Sequence, residues 1–125
     1  SWVGGRNMMK GPMIQAEVEE LMSILGAQLE EGTEEFAKLA EERAIAEADY
    51  KERYWTALVR QVDHPEYRTT APQREAKAGL LAKEEFRRFK LLEACEKAAQ
   101  QHLISIRARL DSLRTMAANV RASGG

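Results

Sequence analysis

The sequence predicts an all-α protein, built as a long antiparallel helical hairpin of the coiled-coil type. Ala, Glu, Lys, Leu and Arg make up 67 of the 125 residues, whereas Val, Ile and Thr together number 15. This composition is typical of long helices and argues against a sheet. Apolar residues also recur at alternating steps of three and four, which places them on one face of a helix.

The first helix is predicted to run from residue 13 to about residue 62. Residues 1–12 are expected to be an irregular leader, with the native start at Met8, Met9 or Met13, and residues 13–125 a single domain. Gly32 either splits the helix into 13–31 and 33–62 or lies inside one near-continuous helix. We favour the continuous helix, because an interior glycine costs about 1 kcal/mol and does not by itself end a helix. The apolar face that defines this helix consists of Ile14, Val18, Leu21, Leu25, Leu29, Phe36, Leu39, Ala46, Tyr50, Tyr54 and Leu58.

The turn of the hairpin is predicted near residues 63–70. Pro65 disfavours helical geometry at the residue before it and lacks a backbone donor. Thr70 is the predicted N-cap of the returning helix, with Pro72 in its first turn and Gln73 at the capping-box position. We expect this second helix to continue from there to Ala122.

The returning helix ends in the most regular apolar pattern of the chain, a heptad seam over residues 99–120. Other apolar residues are left over once one hairpin seam is filled, and they widen the apolar surface beyond what one partner helix covers. We therefore expect hairpins to assemble into a helical bundle, as a homo-oligomer. The predicted seam between copies is Leu103, Ile106, Leu110, Leu113 and Val120. The leftover residues are Met22, Ile24, Ile45, Val59, Leu80, Leu91, Ile104 and Met116.

The two halves of the chain carry opposite charge, although the formal net charge is only -1. Residues 1–62 contain 7 basic and 12 acidic residues, and residues 73–125 contain 11 basic and 6 acidic residues. One interpretation is that the halves fold back on each other as complementary helices. The other is that the basic half meets an anionic partner such as nucleic acid.

No motif in the chain predicts catalysis, a cofactor or a metal. The sequence has no Gly-x-Ser-x-Gly elbow, no glycine-rich phosphate loop and no Glu-x-x-His pair of the kind that holds di-iron. Cys95 and His102 are too few ligands for zinc. No run of 18 apolar residues suggests a membrane span. We therefore expect a non-enzymatic protein without a cofactor and without a membrane segment.

Aromatic and basic residues cluster on both sides of the predicted turn, and such clusters can stack bases and hold phosphates. The same residue types are the usual hot spots of protein interfaces. In the alternative, structural interpretation, Tyr50, Tyr54 and Phe89 belong to the core while Trp55 and Tyr67 pack the turn. The candidate macromolecule-binding residues are Arg53, Trp55, Arg60, Tyr67, Arg68, Arg74, Arg87 and Arg88.

Three stretches, residues 48–54, 74–78 and 110–114, resemble small helical proteins of tailed bacteriophages, most of them without an assigned role. The likeness covers about residues 40–122 and consists of common helical residues. It implies a phage or prophage origin and a role around DNA metabolism. It carries no catalytic residues across.

The function that these observations favour is a non-enzymatic helical interaction or adaptor protein that self-associates and binds a macromolecular partner. One alternative is a single-stranded nucleic-acid-binding accessory of phage recombination or replication. Another is a phage assembly or scaffolding component. The lone Cys95 suggests a reducing compartment, which together with the resemblance predicts the cytoplasm of a bacterial host cell.

Overall fold

The computed structural model describes residues 11–62 and 69–123, with side chains from residue 15 onwards, and these residues form three helices. Helix α1 is Gly11–Val62, α2 is Ala71–Leu81 and α3 is Lys83–Ala122. The described ranges contain no strand, which confirms the predicted all-α class. Helix α1 begins two residues before the predicted start at Met13, and the predicted turn over 63–68 lies outside the described residues.

Helix α1 continues through Gly32, as the preferred interpretation predicted. The absence of a side chain at Gly32 is needed for packing, because a Cβ atom there would lie 2.9 Å from Cδ2 of Leu103. A Cβ atom at Gly26 or Gly79 would meet nothing within 4 Å. The three interior glycines of the described helices therefore differ in what surrounds them.

This difference predicts opposite results for the same substitution. Gly26→Ala and Gly79→Ala should each raise the free energy of unfolding by about 0.5–1 kcal/mol, because alanine loses less backbone entropy on folding. Gly32→Ala should raise the free energy of unfolding by less than this or should lower it, because the δ-methyl group of Leu103 must move within a packed interior. Urea unfolding of the three variants checks this. Equal gains at all three positions would contradict the close approach at Gly32.

The start of α2 is capped as the sequence predicted. The backbone N–H of Gln73 donates to Oγ1 of Thr70 at 3.3 Å, and the backbone N–H of Thr70 donates to Oε1 of Gln73 at 2.9 Å. This reciprocal pair satisfies two of the free donors at the helix start. Thr70 is therefore the N-cap of α2.

The prediction of one uninterrupted returning helix is wrong at Ala82, where α2 ends and α3 begins. Ala82 has φ -101° and ψ 13°, outside helical geometry, and it is fully buried together with Ala78. The hydrogen bonds from Ala82 to the carbonyl of Ala78 and from Phe86 to the carbonyl of Ala82 persist across the break. The interruption is thus confined to one residue, which is neither glycine nor proline.

The described residues form two compact units. Unit 1 holds the described residues up to Glu34 and from Gln100 onward, and unit 2 is Glu35–Ala99. Each unit pairs a part of α1 with a part of the returning chain. The pairing is antiparallel in both units, which confirms the predicted hairpin.

Unit 1 is held together by large aliphatic side chains. Leu25 of α1 packs with Ile106 and Leu110 of α3, and all three are buried. Met22, Leu29 and Leu113 are partly buried against this cluster. Since Gly32 approaches Leu103 while Leu25 meets later residues of α3, the two segments run in opposite directions.

The heptad seam that the sequence assigned to a contact between copies lies inside unit 1 of a single chain. Leu103, Ile106 and Leu110 are buried there, and Leu113 and Val120 are half-buried. Periodicity shows which side chains are covered, but not whether the covering helix belongs to the same chain. Leu103, Ile106 and Leu110 are therefore covered within one chain.

Unit 2 is built around small side chains. Its buried apolar residues are Ala46, Ala57, Ala78 and Ala82. Alanine lets helix backbones approach closely, since interaxial distance depends on the side chains at the contact. Buried Gln61 joins α1 to α2, because its amide donates to the carbonyl of Arg74 at 3.2 Å and to that of Ala57 at 3.2 Å.

Candidate interaction surfaces

An aromatic cluster joins α1 to α3 in unit 2. The ring of Tyr50 lies 5.0 Å from that of Phe86 and 6.1 Å from that of Phe89, with the second pair nearly parallel. Trp55 meets Tyr54 edge to face at 5.4 Å. Tyr50, Tyr54 and Phe89 are half-buried, in line with the structural interpretation, whereas Trp55 and Phe86 are exposed.

A positive charge stands beside this cluster. The Nζ atom of Lys90 lies 5.6 Å from the ring centre of Phe89 and 6.0 Å from that of Phe86. Lys90 also donates to Glu93 at 2.7 Å, and this hydrogen bond is the main cause of the lowered pKa of Glu93. The cation is therefore shared between two rings and a carboxylate.

A charged network links α1 to α3 in the same unit. The guanidinium of Arg43 donates to Glu96 at 2.9 Å and to Glu47 at 3.0 Å, and Lys51 pairs with Glu47 at 3.1 Å. The hydrogen bond to Glu96 is the largest cause of the raised pKa of Arg43. The Arg43–Glu96 pair has no signal in the sequence, because it depends on the register of the hairpin.

The network predicts a loss of stability in acid. The pKa of Glu47 lies below its ordinary value of 4.5, chiefly because Lys51 donates to the carboxylate. A carboxylate whose pKa is lowered by folding stabilises the folded state above its ordinary pKa, and this contribution disappears as the pH falls through the folded value. The free energy of unfolding should therefore decrease as the pH falls below 4.5.

Glu47→Gln should make that decrease smaller, whereas Glu34→Gln at an exposed position should leave it unchanged. Urea unfolding at a series of pH values measures the slope for each variant. A slope that is the same for Glu47→Gln and the unaltered protein would show that the network is not formed.

Two of the candidate binding residues share a groove with acidic side chains. Arg53 and Arg60 line a groove of about 380 Å³ in unit 2. Its other lining residues are Asp49, Glu52, Thr56 and Glu85. Among the described residues, none of these five charged groups forms an ion pair. The groove thus offers unpaired charges of both signs rather than a basic surface.

The remaining candidate residues fall at separate places. The guanidinium of Arg74 donates to the carbonyl of Thr69, and its own carbonyl accepts from Gln61, so Arg74 holds the start of α2. Arg87 pairs with Glu84 at 3.0 Å on α3, and Arg88 is exposed beside it. Tyr67 and Arg68 lie outside the described residues.

Unit 1 contains an open apolar groove that the sequence analysis missed. Its volume is about 630 Å³, and Leu21 and Ile24 of α1 form one wall. The other wall consists of Leu113 and three small residues of α3 together with Arg109, which has no ion pair among the described residues. The lining residues are Leu21, Ile24, Leu25, Gln28, Ser105, Ala108, Arg109, Ser112 and Leu113. The one indication of this groove in the sequence is Ile24, an apolar residue that lies outside the predicted seam.

The leftover apolar residues are mostly exposed, as the sequence predicted. Met22 is the exception, because it packs against the core of unit 1. Further large apolar side chains are exposed beside them, among them Leu21, Val62 and Leu81. The exposed leftover residues are Ile24, Ile45, Val59, Leu80, Leu91, Ile104 and Met116.

The described helices include none with the length and apolarity needed to cross a membrane. Within the same residues, His, Cys, Asp and Glu form no group of three that could hold a metal ion. No family model matches the chain, and neither a curated protein nor a solved structure matches it.

Proposed function

We propose that this protein is a non-enzymatic helical interaction protein that acts by self-association and by binding a macromolecular partner. The observation that carries the proposal is the number of large apolar side chains that the two units leave exposed, Trp55 among them. Covering such surface gains about 25 cal/mol per Å², and tryptophan is enriched among the residues that dominate binding energy. A chain whose own seam is filled internally has these side chains free for another molecule.

Affinity capture from the cells that express the protein tests the proposal. Three variants are compared with the unaltered chain: Ile24→Glu in the groove of unit 1, Val59→Glu on the exposed side of α1, and Gln101→Glu as an exposed control. We expect a discrete macromolecule to be retained and to be lost with at least one of the first two variants but not with the control. Retention of nothing, whether protein, nucleic acid or a second copy, would contradict the proposal.

Binding of single-stranded nucleic acid is the second candidate function. It is favoured by the exposed rings of Trp55 and Phe86, with Lys90 beside Phe86 and with Arg87 and Arg88 exposed on the same helix. Stacking on such rings needs unpaired bases, and lysine or arginine can hold the phosphates. Against it stand the three carboxylates that surround Arg53 and Arg60.

This candidate predicts that labelled single strands bind better than duplex, with an affinity that falls steeply with salt. Arg87→Glu with Arg88→Glu should weaken binding about tenfold or more, whereas Arg107→Glu with Arg121→Glu, the same change of net charge in unit 1, should weaken it less. Fluorescence anisotropy at low salt measures both. The absence of binding at tens of micromolar protein would remove this candidate and leave a protein partner.

A further inference from the structure

Helix α1 carries a second apolar face within unit 2. We call it the outer stripe, and its positions follow one another at steps of three, four, three, four and three. At 100° per residue these positions lie away from buried Ala46, Ala57 and Gln61, and all six are exposed. The outer stripe consists of Ile45, Ala48, Glu52, Trp55, Val59 and Val62.

The spacing of the outer stripe is the same when it is read in either direction. Two copies of α1 laid antiparallel therefore match every stripe position of one copy with a stripe position of the other. This is the condition for a two-fold contact, in which the same patch serves on both subunits. We propose that two copies of this protein associate through their outer stripes, α1 against α1 and antiparallel; this inference rests on the proposed self-association.

The matched positions are complementary in size and chemistry. Ile45 of one copy lies opposite Val62 of the other, and Ala48, the smallest stripe residue, lies opposite Val59. Glu52 lies opposite Trp55, whose indole N–H needs an acceptor when it is covered, and a carboxylate supplies one. A glutamate in the middle of an apolar stripe thus has a partner in this register.

The charges beside the stripe favour the antiparallel direction. Along this flank Asp49 comes first and Arg53 and Arg60 follow, and all three are unpaired among the described residues. In the matched register Asp49 lies within about 3 Å, along the helix axis, of Arg60 in the second copy. Arg53 is equally close in level to the second copy's Glu52. In a parallel pairing Asp49 of one copy and Arg60 of the other would lie about 16 Å apart along the helix axis, so this pair could not form.

The contact is small, because the stripe spans about 26 Å of one helix. It covers less than the 1,200–2,000 Å² of a standard stable interface, so we expect dissociation constants of about 1–100 µM. Experiments that detect the dimer must therefore be carried out at protein concentrations of up to about 100 µM.

Disulfide trapping tests the register directly. Cys95 is the one cysteine of the chain, so Cys95→Ser gives a cysteine-free background. In it, Ala48→Cys with Val59→Cys should form a covalent dimer under mild oxidation. Neither substitution alone should do so, because equal positions of the two copies lie about 16 Å apart, beyond the reach of a disulfide. The same distance prevents a bond within one helix.

Formation of dimer by the double variant at about ten times the yield of either single variant supports the proposal. Equal trapping by a single variant would show a parallel or unspecific contact and overturn it. An absence of trapping in the double variant at about 100 µM would overturn it as well.

Charge reversal provides an independent test. Asp49→Arg and Arg60→Asp should each weaken the dimer about fivefold, and the two together should restore it, because each contact occurs twice. If the variant with both substitutions associates no better than the single variants, the result would count against this register. Both tests use the purified chain alone, so their failure would not contradict the binding of a partner. If the disulfide dimer forms but affinity capture retains no partner, the result counts against partner binding and not against self-association.

Discussion

Ile106→Asp is expected to unfold unit 1. Ile106 is 1% exposed and packs with Leu25 and Leu110 in an apolar cluster. Leaving an unpaired carboxylate there costs several kcal/mol, a large part of the stability of a small protein. The less drastic Ile106→Ala should lower the free energy of unfolding by about 2–5 kcal/mol. Circular dichroism and thermal melting measure both effects.

Ile104→Asp provides the matched control, since Ile104 lies two residues away on α3 and is 50% exposed. It should change the free energy of unfolding by less than about 1 kcal/mol. If Ile106 lay between copies instead, Ile106→Asp would give a well-folded single chain. That outcome, or an equal loss at both positions, would contradict the core described for unit 1.

Ala82→Leu is expected to have the second largest effect. Ala82 is 0% exposed at the break between α2 and α3, and Ala78 beside it is equally buried. Forcing a larger side chain into a filled interior typically costs about 1–3 kcal/mol, and more where the backbone cannot shift. Ala76→Leu, at an exposed position of α2, should be nearly neutral. Urea unfolding compares the two, and equal stability would show that the alanine contact is loose.

The sequence was sufficient for the helices whose ends carry local chemistry. Thr70 and Gln73 form a capping box that the sequence predicts at the start of α2. The apolar pattern of α1 ends at Val62, shortly before Pro65. The break at Ala82 has neither a capping box nor a proline, and it lies where Ala78 and Ala82 are both fully buried. Local propensity is a weak guide when tertiary packing decides the backbone.

Periodicity also predicted which apolar residues lie outside the seam, but not what covers the seam. The pattern of Leu103 and Ile106 is the same whether the covering helix is in the same chain or in another. The Arg43–Glu96 pair could not be found for a related reason, since it depends on the residue-by-residue register of a hairpin whose turn was placed only approximately. The groove of unit 1 likewise appears only once α1 and α3 are laid side by side.

We expect two copies of this protein to associate through the apolar side chains that it leaves exposed, and first of all through the outer stripe of α1. Sedimentation equilibrium at about 100 µM tests it most directly. With a dissociation constant of about 1–100 µM, the weight-average mass should lie between about 1.5 and 2 times the 14.1 kDa of one chain. Ile45→Glu with Val59→Glu should return the mass to that of one chain, with unchanged helical content. An unaltered protein that stays at one chain mass, or a variant that still associates, would contradict it.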